Sequence, residues 1–91
     1  MTTASAADEG AAVTAAPQVT VVTDHGGRVR LQAAWMRGQP ARAVAAEDAL
    51  DALDGVHLVR AHPVTGAVVV HCDRRRVSLD ALRAAAATGA A

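Results

Sequence analysis

An α+β two-layer sandwich with element order ββαββα is the fold class this sequence predicts, and three observations predict it. Residues Arg28 to Trp35 alternate, with Val29, Leu31, Ala33 and Trp35 on one side and Arg28, Arg30 and Gln32 on the other. That is the period of a half-buried strand. Two Ala-rich segments, 40–53 and 78–88, place their larger apolar residues at helical spacing. Three further runs, QVTVVT, VHLVRAH and AVVVHCD, are short, rich in Val and bounded by turn residues.

Taken in order, residues 1–17 are small, polar or Ala, with no periodic large apolar side chain. Such a stretch buries too little surface to offset its ordering entropy, so it is expected to be a disordered tail ahead of one folded domain over 18–89. Val19 and Val21 open a strand, Val22 falls out of phase, and Asp24-His25-Gly26-Gly27 supplies the residues of a hairpin turn. The alternating strand follows, and Met36–Gln39 reads as a loop containing Gly38. Pro40 suits a first helical position, and Ala43, Ala46, Leu50 and Leu53 stripe the helix until Gly55 stops it. In the next strand Val56, Val59 and Ala61 are the inward positions. Pro63-Val64-Thr65-Gly66 turns the chain, which returns with Val68, Val70 and Cys72 on one face and Val69 and His71 on the other. Ser78 is the N-cap of the last helix, Asp80 complements its dipole, and Val77 packs toward Leu82. Leu79, Leu82 and Ala86 point inward, and Gly89 is the expected stop.

Without its first strand this order is a split βαβ, ferredoxin-like unit that lacks its final strand. A strand joined by a tight hairpin to Arg28–Trp35 would lie antiparallel in the vacant edge slot. The expectation is therefore a ferredoxin-like two-layer sandwich in which residues 19–23 replace the usual C-terminal edge strand. A three-stranded sheet with a loose N-terminal arm is the alternative.

Composition limits the function classes. Nine basic residues, all Arg, face nine acidic ones over 91 residues, so the formal charge is zero. The whole-chain balance gives no case for binding nucleic acid or an acidic membrane. Hydrophobic residues make up 52% of the chain, yet about a quarter of all residues are Ala, and Phe, Tyr and Ile are absent. An Ala/Val core, at about 25 cal/mol per Å² of apolar surface buried, leaves a thin margin over chain entropy. The single Cys excludes an intramolecular disulfide and a Cys-only zinc site, and it fits a reducing compartment. No apolar stretch approaches the roughly 20 residues of a membrane span, and the N-terminus lacks the basic and leucine-rich regions of a signal peptide. A cytoplasmic protein with no direct membrane insertion is expected.

Several motifs combine with these elements. They are the GRVRL strand, Arg37-Gly38-x-Pro40-Ala41-Arg42, Leu53-Asp54-Gly55-Val56-x-x-Val59, His62-Pro63-x-Thr65-Gly66-x-Val68-x-Val70 and Asp73-x-x-x-Val77-Ser78-Leu79. Over about residues 27–88 they resemble a heavy-metal-associated (HMA-like) domain. The type resembled is the divergent actinobacterial one, found alone or ahead of cation-transporting P-type ATPases. The resemblance implies the fold and a tie to metal-ion transport. The family's metal chemistry rests on Cys-x-x-Cys between first strand and first helix, where two soft sulfurs hold Cu(I) or Zn(II). The corresponding Trp35–Arg42 loop contains neither Cys nor His and carries two arginines. No metal ligand and no cofactor is therefore carried over; fold alone does not bring a ligand with it.

Elsewhere the chemistry is sparse. Cys72 and His71 are adjacent on a strand and so face opposite ways. Cys72 suits the core, with a reactive or metal-binding thiol as the alternative. His62 and His71 could share the open sheet face near Arg30 as a weak two-histidine metal site, or could be solvated imidazoles. Arg28, Arg30, Arg60 and the Arg74-Arg75-Arg76 run could suggest RNA, but the central strands offer no outward aromatic to stack a base. The Arg run reads better as a solvated turn paired with Asp73 or Asp80. No nucleophile arrangement, phosphate loop or paired carboxylate supports an enzyme. Trp35 is either a core plug or a contact residue. The expectation is a non-catalytic regulatory or protein-interaction module. It would dock a protein partner, a P-type ATPase or a second copy, through Trp35, Met36, Arg37, Arg30, Arg60 and Val69. A metallochaperone with a non-standard Cys/His site is the alternative.

Overall fold

Residues 17–90 are described by a computed structural model. The expected tail thus lies outside the described residues, apart from Pro17. The elements are β1 (Thr20–His25), β2 (Arg28–Gln32), α1 (Pro40–Asp51), β3 (Val56–His62), β4 (Ala67–Cys72) and α2 (Leu79–Ala87). Single turns of 3-10 helix cover Ala34–Met36 and Thr88–Ala90.

The alternation of β2 does what its pattern demands: Val29 and Leu31 are fully buried while Arg28 and Arg30 stand in solvent. β4 buries Val68, Val70 and Cys72 in the same way. These two strands pair antiparallel at the centre of a four-stranded sheet ordered β1-β2-β4-β3. The chain is thus α+β with a four-stranded antiparallel sheet and two helices, compatible with a ferredoxin-like sandwich. β1 lies at the edge beside β2, the slot that a final strand takes in a split βαβ unit.

Two bulges keep the edge strands in phase. In β1, Val21 faces Leu31 and Thr23 faces Arg30, so Val22 is the extra residue and is 52% exposed. In β3, Val56 faces Cys72 and Leu58 faces His71, which leaves His57 as the extra residue. The β1–β2 turn is shorter than its sequence suggests. His25 pairs with Arg28, and only Gly26 and Gly27 connect them, at φ +54° and +86°. Two consecutive positive φ angles define the type I′ turn that matches strand twist. Asp24 and His25 therefore belong to the strand and not, as expected, to the turn. A side chain at Gly27 would also collide with the Cys72 carbonyl.

The main departure follows β2. The strand ends at Gln32 instead of running to Trp35, and the chain enters a 3-10 turn. A period of three puts Ala33 and Met36 on one side, and both are fully buried. Met36 is therefore the core plug, which corrects its expected place in a surface loop. Trp35 is half-buried and packs on the rim of the core, with its indole N–H donating to the Gln18 carbonyl at 2.9 Å.

α1 begins at Pro40 and buries Ala43, Ala46 and Leu50, with Leu53 half-buried beyond its end. α2 is capped as its sequence indicates: the Ser78 hydroxyl accepts from the Ala81 N–H at 3.0 Å. Gly89 is not a left-handed stop. It is buried where a Cβ would approach the Arg42 carbonyl oxygen to 2.8 Å, so its smallness lets the C-terminal turn lie against α1. The helices and one sheet face enclose the core, whose largest fully buried members include Leu31, Met36, Leu50 and Leu82. No polar side chain is buried among the described residues. At the outer edge of the sheet the Glu47 carboxylate, reaching from α1, accepts from the Ala61 N–H of β3 at 2.7 Å.

Candidate functional site

The sheet face turned away from the helices carries the polar chemistry of the molecule, and the strand register arranges it in rows. One row runs His25, Arg28, His71, Leu58 across β1, β2, β4 and β3. The next runs Thr23, Arg30, Val69, Arg60, and a third runs Thr20, Gln32, Ala67, His62. Arg28, Arg30 and Arg60 are exposed, Val69 is half-buried between the last two, and Leu58 is 46% exposed beside His71. A shallow cleft of about 240 Å³ opens between Thr23, His25, Arg28, Arg30 and Val69.

Among the described residues no carboxylate lies on this face. Asp24 sits between Thr23 and His25 in β1 but pairs across from the buried Val29, so it belongs to the helix side. There it meets Arg74 at 3.3 Å. Arg75 pairs with Asp73, Arg76 with Asp54 and Arg83 with Asp80. The arginine run is thus largely neutralised, with Asp73 as one expected partner and Asp24 and Asp54 as two unexpected ones. The Arg75 backbone N–H, then its side chain, hold the Asp73 carboxyl below its usual range. Arg28, Arg30 and Arg60 make no such pair among the described residues.

The register removes the expected histidine pair. His62 lies opposite Ala67 and His71 opposite Leu58, four residues apart along β3. At about 3.3 Å per residue that separation is about 13 Å, too far for two imidazoles to bind one ion at about 2 Å each. His25 is the imidazole that sequence reasoning missed. Once the hairpin turn is reduced to two glycines, His25 joins the row of Arg28 and His71. No group of three His, Cys, Asp or Glu side chains among the described residues is placed to hold a metal ion. Cys72 is buried on the core side of β4. Burial raises its thiol pKa above 9.0, Arg74 opposes the rise, and Asp24 and Asp73 add to it. Burial thus disfavours the thiolate, the form of the side chain that attacks and ligates.

The Trp35–Arg42 loop, which leads from β2 into α1, is tied to its neighbours. Arg42 donates to the Trp35 carbonyl at 3.2 Å, Arg37 to the Thr65 carbonyl at 3.3 Å, and the Gly38 N–H to the Pro63 carbonyl at 2.8 Å. The Ala33 N–H reaches the Gly66 carbonyl at 2.8 Å, which fastens the same loop to the β3–β4 turn. Its one sulfur, on Met36, is fully buried. The residues present do not fit a soft cation: they offer guanidinium donors and no accessible sulfur or imidazole. Of the expected contact residues, Arg30, Arg60 and Val69 lie together in one row of the open face. Arg37 and Trp35 stand apart at the end of the sandwich, and Met36 is inside it.

Comparison with known proteins gives partial matches. Over 66 residues the chain is 44% identical to a manganese-exporting P-type ATPase of Mycobacterium leprae, covering 67% of this chain. Over 64 residues it is 47% identical to a zinc-exporting P-type ATPase of Mycobacterium marinum, covering 65% of this chain. Over 62 residues it is 42% identical to a probable cation-transporting ATPase G of Mycobacterium bovis, covering 68% of this chain. In each case the match spans only 9%, 9% and 8% of the relative, respectively. No family model matches the chain, and no solved structure matches it. No helix among the described residues is long and apolar enough to cross a membrane.

Proposed function

We propose that this chain is a non-catalytic, HMA-like domain that acts on the cytoplasmic side as a regulatory or protein-interaction module in metal-ion transport. Its partner in this reading is a P-type ATPase, docked through the open sheet face and the Trp35–Arg37 rim. The similarity of about two thirds of the chain to segments of ATPases named for manganese export, zinc export and cation transport carries the reading. The thiolate-free loop and the buried Cys72, whose thiolate burial disfavours, support docking over cargo carriage.

The test is co-purification of the full chain with a metal-exporting P-type ATPase of the same organism, with metal titration of the reduced chain alongside. A stoichiometric complex, with metal affinity weaker than micromolar, is expected. Failure to form any complex overturns the docking reading. Stoichiometric sub-micromolar binding of Cu(I) or Zn(II), lost in Cys72→Ser, would establish a metallochaperone instead.

A further inference from the structure

We infer that the open sheet face receives an acidic, extended segment of a partner protein, with one carboxylate seated in the cleft formed by Thr23, His25, Arg28 and Arg30. The inference deepens the docking function proposed above and rests on it. Charge complementarity selects the occupant. Arg28, Arg30 and Arg60 stand on one face with no acidic partner among the described residues, while Arg74, Arg75, Arg76 and Arg83 are each paired off it. Of the five arginines without a carboxylate partner among the described residues, Arg37 and Arg42 donate to the Thr65 and Trp35 carbonyls. The other three therefore stand together on this surface. Such a surface steers and orients an anionic partner.

Geometry narrows the class. Arg28 and Arg30 are two residues apart on one strand, so their Cα atoms are about 6.8 Å apart. Alternate residues of an extended peptide project to one side with the same spacing. Acidic side chains at alternate positions can then meet both guanidiniums, which favour planar carboxylates as forked partners. Val69 floors the cleft and Leu58 borders the neighbouring row, offering apolar contact to the aliphatic part of the segment. A nucleic acid fits less well. Base stacking needs an aromatic platform, and the only aromatic residue, Trp35, lies beyond the end of β2 with its indole tied to Gln18.

The experiment measures anisotropy of a labelled ten-residue peptide, with Glu at alternate positions and Val or Thr between, against the full chain at low salt. A length-matched oligothymidine is the second probe. Binding is expected to weaken at least about tenfold in Arg30→Glu and to fall steeply with salt. Arg30→Gln, a milder change at the same exposed site, is expected to weaken it less. Arg83→Glu, on α2, should change it less than twofold. Absence of peptide binding, equal loss in Arg83→Glu, or tighter binding of the oligothymidine through Arg30 overturns the inference. So does self-association abolished by Arg30→Glu, which would assign the face to a second copy. An ATPase complex that survives Arg28→Glu and Arg30→Glu would also overturn it, yet leave the docking function standing. Peptide binding without any ATPase complex would do the reverse.

Discussion

On the helix side of the four-stranded sheet, Val29, Leu31, Val68 and Val70 meet Ala43, Ala46, Leu50, Leu82 and Ala86, and no polar side chain is buried among them. On the other side the same strands present Arg28, Arg30, Arg60, His25, His71 and His62. The backbone hydrogen bonds serve both faces equally, so the difference lies in side chains alone. Folding free energy comes from the first face. The second contributes little to stability, and its composition is free to answer to a partner. The small side chains of the covered face make this division sharp, because few large residues supply most of the burial.

The contrast can be broken by measurement. The largest effect belongs to Leu50→Ala, which removes a fully buried side chain from a core of few large residues. A loss of about 2–5 kcal/mol is expected, read as a lower urea midpoint at unchanged slope. If that variant were as stable as the parent, the covered face would not be the source of stability.

Cys72 gives a smaller, pH-dependent effect. Burial raises its folded-state pKa above the ordinary 9.0, so the folded state holds the thiol proton more tightly than the unfolded chain does. This contribution is fully present below about pH 9.0 and is lost as pH rises through the folded-state value. Thermal melts from pH 8 to 10.5 should therefore show a declining midpoint that is shallower in Cys72→Ala. Iodoacetamide at pH 8 should label the native thiol slowly and the urea-unfolded thiol readily.

The smallest stability effect should come from the open face. Arg30→Ala and Arg60→Ala are expected to shift unfolding by no more than about 0.5 kcal/mol, whatever they do to binding. A loss of 2 kcal/mol in either would mean that this face has a structural duty.

How much of this was legible in the sequence differs by element. The alternation of Arg28–Leu31, the Ser78 cap and the Pro40 start are local signals, and each appears where its chemistry places it. The exchange between Trp35 and Met36 was not legible, because one 3-10 turn converts a period of two into a period of three over four residues. Val22 and His57 are extra residues in bulges, and a bulge is defined by a partner strand that a linear pattern does not display. The same limit hid the site. Alternation says which face His62 and His71 occupy, but only register separates them and brings His25 beside Arg28. Gly89 was misread for a related reason: an identical residue serves a helix end or a helix contact, and the contact is with residues more than forty positions away.

The Glu47 carboxylate bound to the Ala61 N–H also guards one border of the sheet. A sheet that extends from copy to copy needs a receptive border on both sides of every subunit, because each newcomer must offer the next its own free ladder. Here a helix-borne acid already occupies a donor on the β3 border, and the opposite border, β1, is bent by its bulge. An incoming strand would have to displace that acid to pair with β3, or follow the bulge to pair with β1.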